Sequence, residues 1–237
     1  MNGLRVAAKI QPARQTIIFL HGLGDTGSGW GFLAQYLQQR DPAAFQHTNF
    51  VFPNAPELHV TANGGALMPA WFDILEWDPS FSKVDSDGFM NSLNSIEKTV
   101  KQEIDKGIKP EQIIIGGFSQ GAALALATSV TLPWKIGGIV ALSGFCSIPG
   151  ILKQHKNGIN VKTPIFHGHG DMDPVVPIGL GIKAKQFYQD SCEIQNYEFK
   201  VYKGMAHSTV PDELEDLASF IKKSLSYSSF PNIASSI

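Results

Sequence analysis

Gln112-Ile113-Ile114-Ile115-Gly116-Gly117-Phe118-Ser119-Gln120-Gly121 runs directly into the alanine- and leucine-rich stretch Ala122–Ser129. Gln112–Ile115 has the β-branched, apolar character of a buried strand, and Ser119–Ser129 has the character of a helix. The junction spells G-x-S-x-G. A chain that passes so sharply from strand to helix needs glycines where a Cβ would clash. The turn then holds the serine hydroxyl clear at a helix N-terminus, where backbone N–H groups favour developing negative charge. At average glycine and serine frequencies the pentapeptide is expected by chance on the order of 0.1 times in a chain of this length. The strand before it and the helix after it therefore carry the reading, and Ser119 becomes the candidate nucleophile.

Outward from this junction, short apolar runs alternate with longer helical stretches, which predicts βαβ units and a mostly parallel sheet with helices on both faces. The expected strands are Thr16–Leu20, Asn49–Phe52, Gln112–Ile115, Gly138–Leu142, Pro164–Phe166 and Glu198–Tyr202. The expected helices are Gly29–Gln39, Gly88–Lys106, Ser119–Ser129, Gly179–Asp190 and Pro211–Ser224. Pro211, Asp212 and Glu213 suit a first helical turn, where a missing N–H costs little and acids complement the dipole. Asn54–Ser86 breaks the pattern: it is proline-rich, has little period and mixes Leu67, Met68, Trp71, Phe72 and Trp77. A long structureless loop of this kind is usually functional. The 237 residues fit one domain over 1–226 with a cap at about 54–86, followed by a serine-rich tail over 227–237 that is expected to be disordered.

Composition narrows the function classes. A formal charge of −2 gives no electrostatic case for nucleic acid. Cys146 and Cys192 lie far apart and form no CxxC, so no disulfide framework or zinc site is expected, and two reduced thiols suit the cytoplasm. The N-terminus has no apolar signal region, and no apolar run approaches the roughly 20 residues of a membrane span. Neither a myristoylation start nor a prenylation box is present.

A serine nucleophile needs a base and an orienting acid, which in this fold follow it in the order acid, then histidine. Of the seven histidines, His47, His59 and His155 sit in polar or cap-like stretches, and His21 precedes the serine. His167 and His169 end the strand after which the acid belongs. His207 follows the last strand and precedes the last helix, the place of the base. For the acid, Asp171 and Asp173 both leave the strand Pro164–Phe166, and spacing alone does not separate them. Pro174 stiffens the backbone after Asp173. The oxyanion donors are expected from the Gln120 amide and from the Leu23 amide in the glycine-rich loop after Thr16–Leu20.

Two rival chemistries are present in fragments. Gly22-x-Gly24-x-x-Gly27 matches a dinucleotide fingerprint, but the second strand ends without the acid that such a site needs. His167-Gly168-His169-Gly170-Asp171 begins a metallohydrolase box, but Met172 stands where a histidine ligand is required. No metal and no cofactor are expected.

Five segments in order resemble the acyl-protein thioesterases, also called lysophospholipase I or small cytosolic carboxylesterases, on the α/β-hydrolase fold. They are Phe19–Gly27, Met68-Pro69-Ala70-Trp71-Phe72-Asp73, Gly116–Gly121, His169–Pro177 and Gly204-Met205-Ala206-His207-Ser208. The resemblance runs from about Thr16 to Lys222. It implies Ser119, Asp173 and His207 as triad, Leu23 and Gln120 as oxyanion amides, and an acyl channel under the cap formed by Leu67, Met68, Trp71, Phe72 and Phe145. Each of those apolar side chains equally suits core packing. The implied activity is release of long-chain acyl groups from S-acylated proteins by thioester hydrolysis, the alternative being oxyesters, as in a lysophospholipase or general carboxylesterase. Transient contact with membrane surfaces and a weak homodimer belong to the same implication. Two departures stand out: Asn2 replaces the palmitoylated cysteine of some relatives, and Gly144-Phe145 replaces a common Cys-Trp, which bears on chain-length preference.

Overall fold

The computed structural model describes residues 2–78 and 83–227. The residues of the expected C-terminal tail from 228 onward, and 79–82 of the cap, lie outside them. The strands are β1 (Gly3–Val6), β2 (Gln15–Leu20), β3 (Thr48–Pro53), β4 (Glu57–Val60), β5 (Ala66–Pro69), β6 (Ile113–Phe118), β7 (Gly138–Leu142), β8 (Ile165–Gly170) and β9 (Tyr197–Tyr202). The helices are α1 (Phe32–Arg40), the single turn α2 (Pro42–Phe45), α3 (Ser86–Asp105), α4 (Gln120–Thr131), α5 (Pro149–His155), α6 (Ile178–Gln186) and α7 (Pro211–Tyr227).

Among the described residues one seven-stranded sheet runs in the order β1-β3-β2-β6-β7-β8-β9, parallel except where β1 pairs antiparallel with β3. The central strands are apolar at nearly every position because both faces are covered. Period two then sorts their side chains. Ile18, Leu20, Ile113, Ile115, Ile139 and Ala141 join the core under α3, α4 and α5. Ile17, Phe19, Ile114, Val140 and Leu142 join the core under α1 and α7. The α3 stripe Phe89, Leu93, Ile96 and Val100 follows helical spacing, and Asp85 caps its start by accepting from the Gly88 N–H at 2.8 Å.

The six expected strands and five expected helices are all present, with ends displaced by a few residues. Asn54–Ser86 is not structureless: β4 and β5 pair antiparallel as a separate hairpin. Strand β1 and the short helices α2 and α5 had no counterpart in the sequence reading, because four to seven residues carry too little period to stand out. Glu213 also departs from expectation. Its side chain is fully buried against Gly168, with no hydrogen-bond partner on either oxygen among the described residues. Burial, and then the nearby Asp216 charge, push its carboxyl up to about 8.

Candidate active site

Ser119 sits between the end of β6 and the start of α4 in the left-handed region, with φ 54° and ψ −116°. A non-glycine residue holds that conformation only where the surroundings impose it. Here the surroundings are backbone. A Cβ on Gly117 would stand 2.4 Å from the Gly121 carbonyl group, and one on Gly121 would stand 2.3 Å from the Leu20 carbonyl oxygen. The Ser119 N–H is tied to the Leu142 carbonyl at 2.9 Å. Gln120 is the first residue of α4, so its N–H has no acceptor within the helix and faces the end where negative charge is favoured.

His207 and Asp173 complete a hydrogen-bonded line. His207 Nε2 lies 2.9 Å from Ser119 Oγ, and its Nδ1 lies 2.7 Å from Asp173 Oδ2. The other carboxylate oxygen, Oδ1, accepts from the N–H groups of Val175 at 2.9 Å and Val176 at 2.8 Å. Burial alone would push the Asp173 carboxyl up. The bonds from His207 and from the two amides outweigh it and hold the carboxyl below its ordinary range. Asp171, left level with Asp173 by spacing, points elsewhere: its Oδ1 accepts from the Gly204 N–H at 2.6 Å.

The loop that carries Leu23 is braced by His21. That ring is fully buried, bonds the Gly22 carbonyl through Nδ1 at 2.7 Å, and accepts from the Ala55 N–H at Nε2, 3.0 Å away. Nδ1 therefore carries the proton, and burial lowers the tendency to take a second one. Just after Leu23, the Gly24 N–H is spent on the Pro69 carbonyl at 2.8 Å and the Asp25 N–H on the Gly22 carbonyl at 3.3 Å. Sequence order set His21 aside as a base, and its bracing role has no sequence signal beyond its place at the end of a strand.

Gln120 joins the cap to the elbow. Its Oε1 accepts from the Trp71 N–H at 2.8 Å, and its Nε2 donates to the Phe72 carbonyl at 2.7 Å. Trp71 Nε1 donates to the His21 carbonyl at 2.8 Å. These bonds pull Trp71 and Phe72 into the core, where they are buried, with Phe72 packed on Phe89 at 4.9 Å between ring centroids. Neither lines the cleft beside Ser119. Leu67 is 56% exposed on the hairpin, and Met68 is half-buried beside Asn63. Of the five side chains expected in a channel, Phe145 lines the cleft.

That cleft has a volume of about 260 Å³ and is walled by Leu23, Ile74, Trp77, Phe118, Phe145, Val175 and Val176 around Ser119 and His207. Ile74, Val175 and Val176 were not foreseen. The two valines follow the acid in sequence, and their place as an apolar pair after Pro174 is the signal that could have found them. Among the described residues no group of three or more His, Cys, Asp or Glu is arranged to hold a metal ion. The arrangement supplies an aligned hydroxyl, a ring to take its proton and an apolar wall for an uncharged chain.

Comparison with known proteins places the site in context. Residues 1–225 match the family model described as Phospholipase/Carboxylesterase. The chain is 52% identical to acyl-protein thioesterase 1 of Kluyveromyces lactis over 229 residues, covering 95% of this chain and 98% of that one. It is 44% identical to acyl-protein thioesterase 1 of Candida albicans, covering 94% and 97%. Among solved structures it is similar to Arabidopsis thaliana SOBER1, with a TM-score of 0.83 at 33% identity and coverage of 90% and 100%. It is also similar to Zea mays acyl-protein thioesterase 2, with a TM-score of 0.77 at 25% identity and coverage of 94% and 100%. With its elbow, its parallel sheet and these relatives, the chain belongs to the phospholipase/carboxylesterase family of α/β-hydrolases, alongside the acyl-protein thioesterases.

Proposed function

We propose that this chain is a serine hydrolase that removes long-chain acyl groups from S-acylated cysteines of proteins by thioester hydrolysis. The observation that carries the reading is the unbroken line Ser119–His207–Asp173, with contacts of 2.9 and 2.7 Å, at an elbow beside an apolar cleft. The relatives named acyl-protein thioesterase supply the substrate class.

In the cycle, His207 Nε2 takes the Ser119 hydroxyl proton as Oγ attacks the thioester carbonyl carbon. Asp173 holds the imidazole with Nε2 free to accept and stabilises the imidazolium that forms. The amides of Leu23 and Gln120 receive the oxyanion; one such donor is worth about 3 kcal/mol in the transition state. The carbon–sulfur bond breaks, and His207 returns the proton to the departing thiolate. Water then attacks the acyl-Ser119 ester by the same route and releases the fatty acid. Each acyl CH₂ taken up by the apolar wall contributes about 0.8 kcal/mol.

Both cysteines are free thiols, which supports placing the enzyme in the cytoplasm. No helix among the described residues is long and apolar enough to cross a membrane. Trp77 and Val175, each about half exposed at the cleft, support transient contact with the membrane surfaces that carry acylated substrates. A weak homodimer closing over this same apolar rim belongs to the proposal.

The test is a pair of kcat/KM values, one for a palmitoyl-cysteine peptide and one for a lysophospholipid, with wild type and Ser119→Ala. The wild type is expected to favour the thioester, and Ser119→Ala to form no acyl-enzyme while remaining folded. Faster turnover of the lysophospholipid would overturn the substrate reading, and substantial turnover by Ser119→Ala would overturn the mechanism.

A further inference from the structure

Beside Asp173 lies a second imidazole that takes no part in the proton transfers. His169 is fully buried. Its Nε2 lies 2.8 Å from the Val176 carbonyl oxygen. A carbonyl only accepts, so Nε2 carries the proton. Val176 is the residue whose N–H, with that of Val175, holds Asp173 Oδ1. The turn Asp173–Val176 is thus gripped twice: its amides close onto the carboxylate, and its last carbonyl is tied down to His169.

The ring of His169 is itself fixed. His167 packs against it at 5.5 Å between ring centroids; His167 Nε2 accepts from the Gly144 N–H at 3.2 Å, so its protonated Nδ1 donates to the Tyr197 hydroxyl at 2.8 Å, and both residues are buried. Phe199 stacks on the ring at 6.2 Å between centroids, and Gly181 packs so closely that a Cβ there would stand 2.6 Å from Nδ1. Asp173 Oδ2 is 3.8 Å from His169 Nε2, beyond hydrogen-bond reach, while His207 Nδ1 stands at 2.7 Å. Burial holds both His167 and His169 below the ordinary range of histidine. A neutral ring committed to Val176 therefore steadies the turn without competing for Oδ2.

We propose that His169, backed by His167, is a positioning residue for the hydrolytic reaction, fixing the Asp173–Val176 turn so that Oδ2 is aimed at His207. The proposal rests on the triad reading given above. Its physical content is that freeing the Val176 carbonyl lets the acid drift, and a displacement of about 1 Å in such a line costs on the order of 10²-fold in rate. Because the turn orients the acid and touches no substrate, the loss falls on kcat rather than on KM.

The experiment compares His169→Asn with His169→Gln. Asparagine places its amide near the His167 side of the ring position and cannot reach Val176; glutamine places an amide nitrogen where Nε2 stands. His169→Asn is expected to lose about 30-fold in kcat with KM within about threefold. His169→Gln is expected to stay within about threefold of wild type in both. Gly181→Ala, which pushes on the ring without altering the histidine, is expected to lower kcat by about fivefold with KM within about twofold; it decides the matter if His169→Asn does not fold. Wild-type kcat for His169→Asn, or for Gly181→Ala when His169→Asn does not fold, would overturn the proposal, as would equal losses in the Asn and Gln variants. The rate of Ser119 labelling by a fluorophosphonate is measured throughout. A wild type that labels rapidly but hydrolyses no acyl substrate would sink the substrate reading and leave this one standing.

Discussion

Between Gly117 and Gly121 no residue has room to move: two glycines are pressed against carbonyl groups, and the serine between them is held at a positive φ. Between Asn54 and Trp77 the chain wanders through a small hairpin and exposed side chains, and it is tied to the core by the Gln120 and His21 side chains and by the bond from Trp71 Nε1 to the His21 carbonyl. The elbow is held by the backbone, where alternatives are forbidden by sterics. The cap is held by hydrogen bonds and by Val60, Trp71 and Phe72 packed into the core, with the outer side of the hairpin left exposed. Chemistry that must align three groups to tenths of an ångström belongs on the first kind of support. The apolar wall beside that chemistry draws Ile74 and Trp77 from the second.

The largest expected break is on the elbow side. Asp173→Asn should lower kcat/KM about 10⁴-fold while leaving the fold intact, by favouring the wrong tautomer of His207. Asp171→Asn, which loosens only the bond to Gly204, should cost less than about tenfold. Equal losses in steady-state assays would remove the distinction between the two acids. Next, Gly121→Ala should cost about 3 kcal/mol, because the added Cβ meets β2 backbone rather than a movable side chain. An unchanged melting temperature would show that the elbow has slack after all.

Gln120→Ala strikes the joint between the regions. Leaving the Trp71 N–H and the Phe72 carbonyl without their buried partner should cost about 2 kcal/mol. It should also raise hydrogen exchange in 70–74 while β6 stays protected. Exchange rising equally in both would mean that cap and elbow open as one unit. The last effect concerns Glu213, beneath the same sheet, and is read as a slope against pH. Its folded pKa lies above that of the unfolded chain, so the native state holds the extra proton. Its contribution is fully present below the unfolded value and is lost as pH rises through the window up to about 8. Wild type should therefore lose stability relative to Glu213→Gln by at most about 1.4 kcal/mol per pH unit in that window. Parallel melting curves from pH 5 to 8 would show the carboxyl ionised throughout.

The same contrast explains what could be foreseen from residues alone. Central strands such as Gln15–Leu20 and Ile113–Phe118 are covered on both faces, so burial is written into them as unbroken apolar runs. The elbow shows in its glycines because only glycine fits there. The hairpin Glu57–Pro69 does not show, since half of it faces water and its turn residues suit a loop equally well. Trp71 and Phe72 carry no mark telling core from cleft: which way they face is decided by Gln120, some fifty residues away in sequence. Glu213 has the composition of an exposed first turn, and only the absence of a side chain at Gly168 makes room for it inside.

Gln120 has a consequence for how this enzyme could be tuned. Its main chain is a proposed partner of the reacting oxygen, and its side chain grips the main chain of Trp71 and Phe72, just before Ile74 in the cleft wall. The two ends of the acyl group are thereby geared through one residue. A tail that fits poorly and pushes Ile74 aside tugs, through the 71–72 main chain, on the peptide that greets its own carbonyl, so discrimination by length would register in turnover as well as in occupancy.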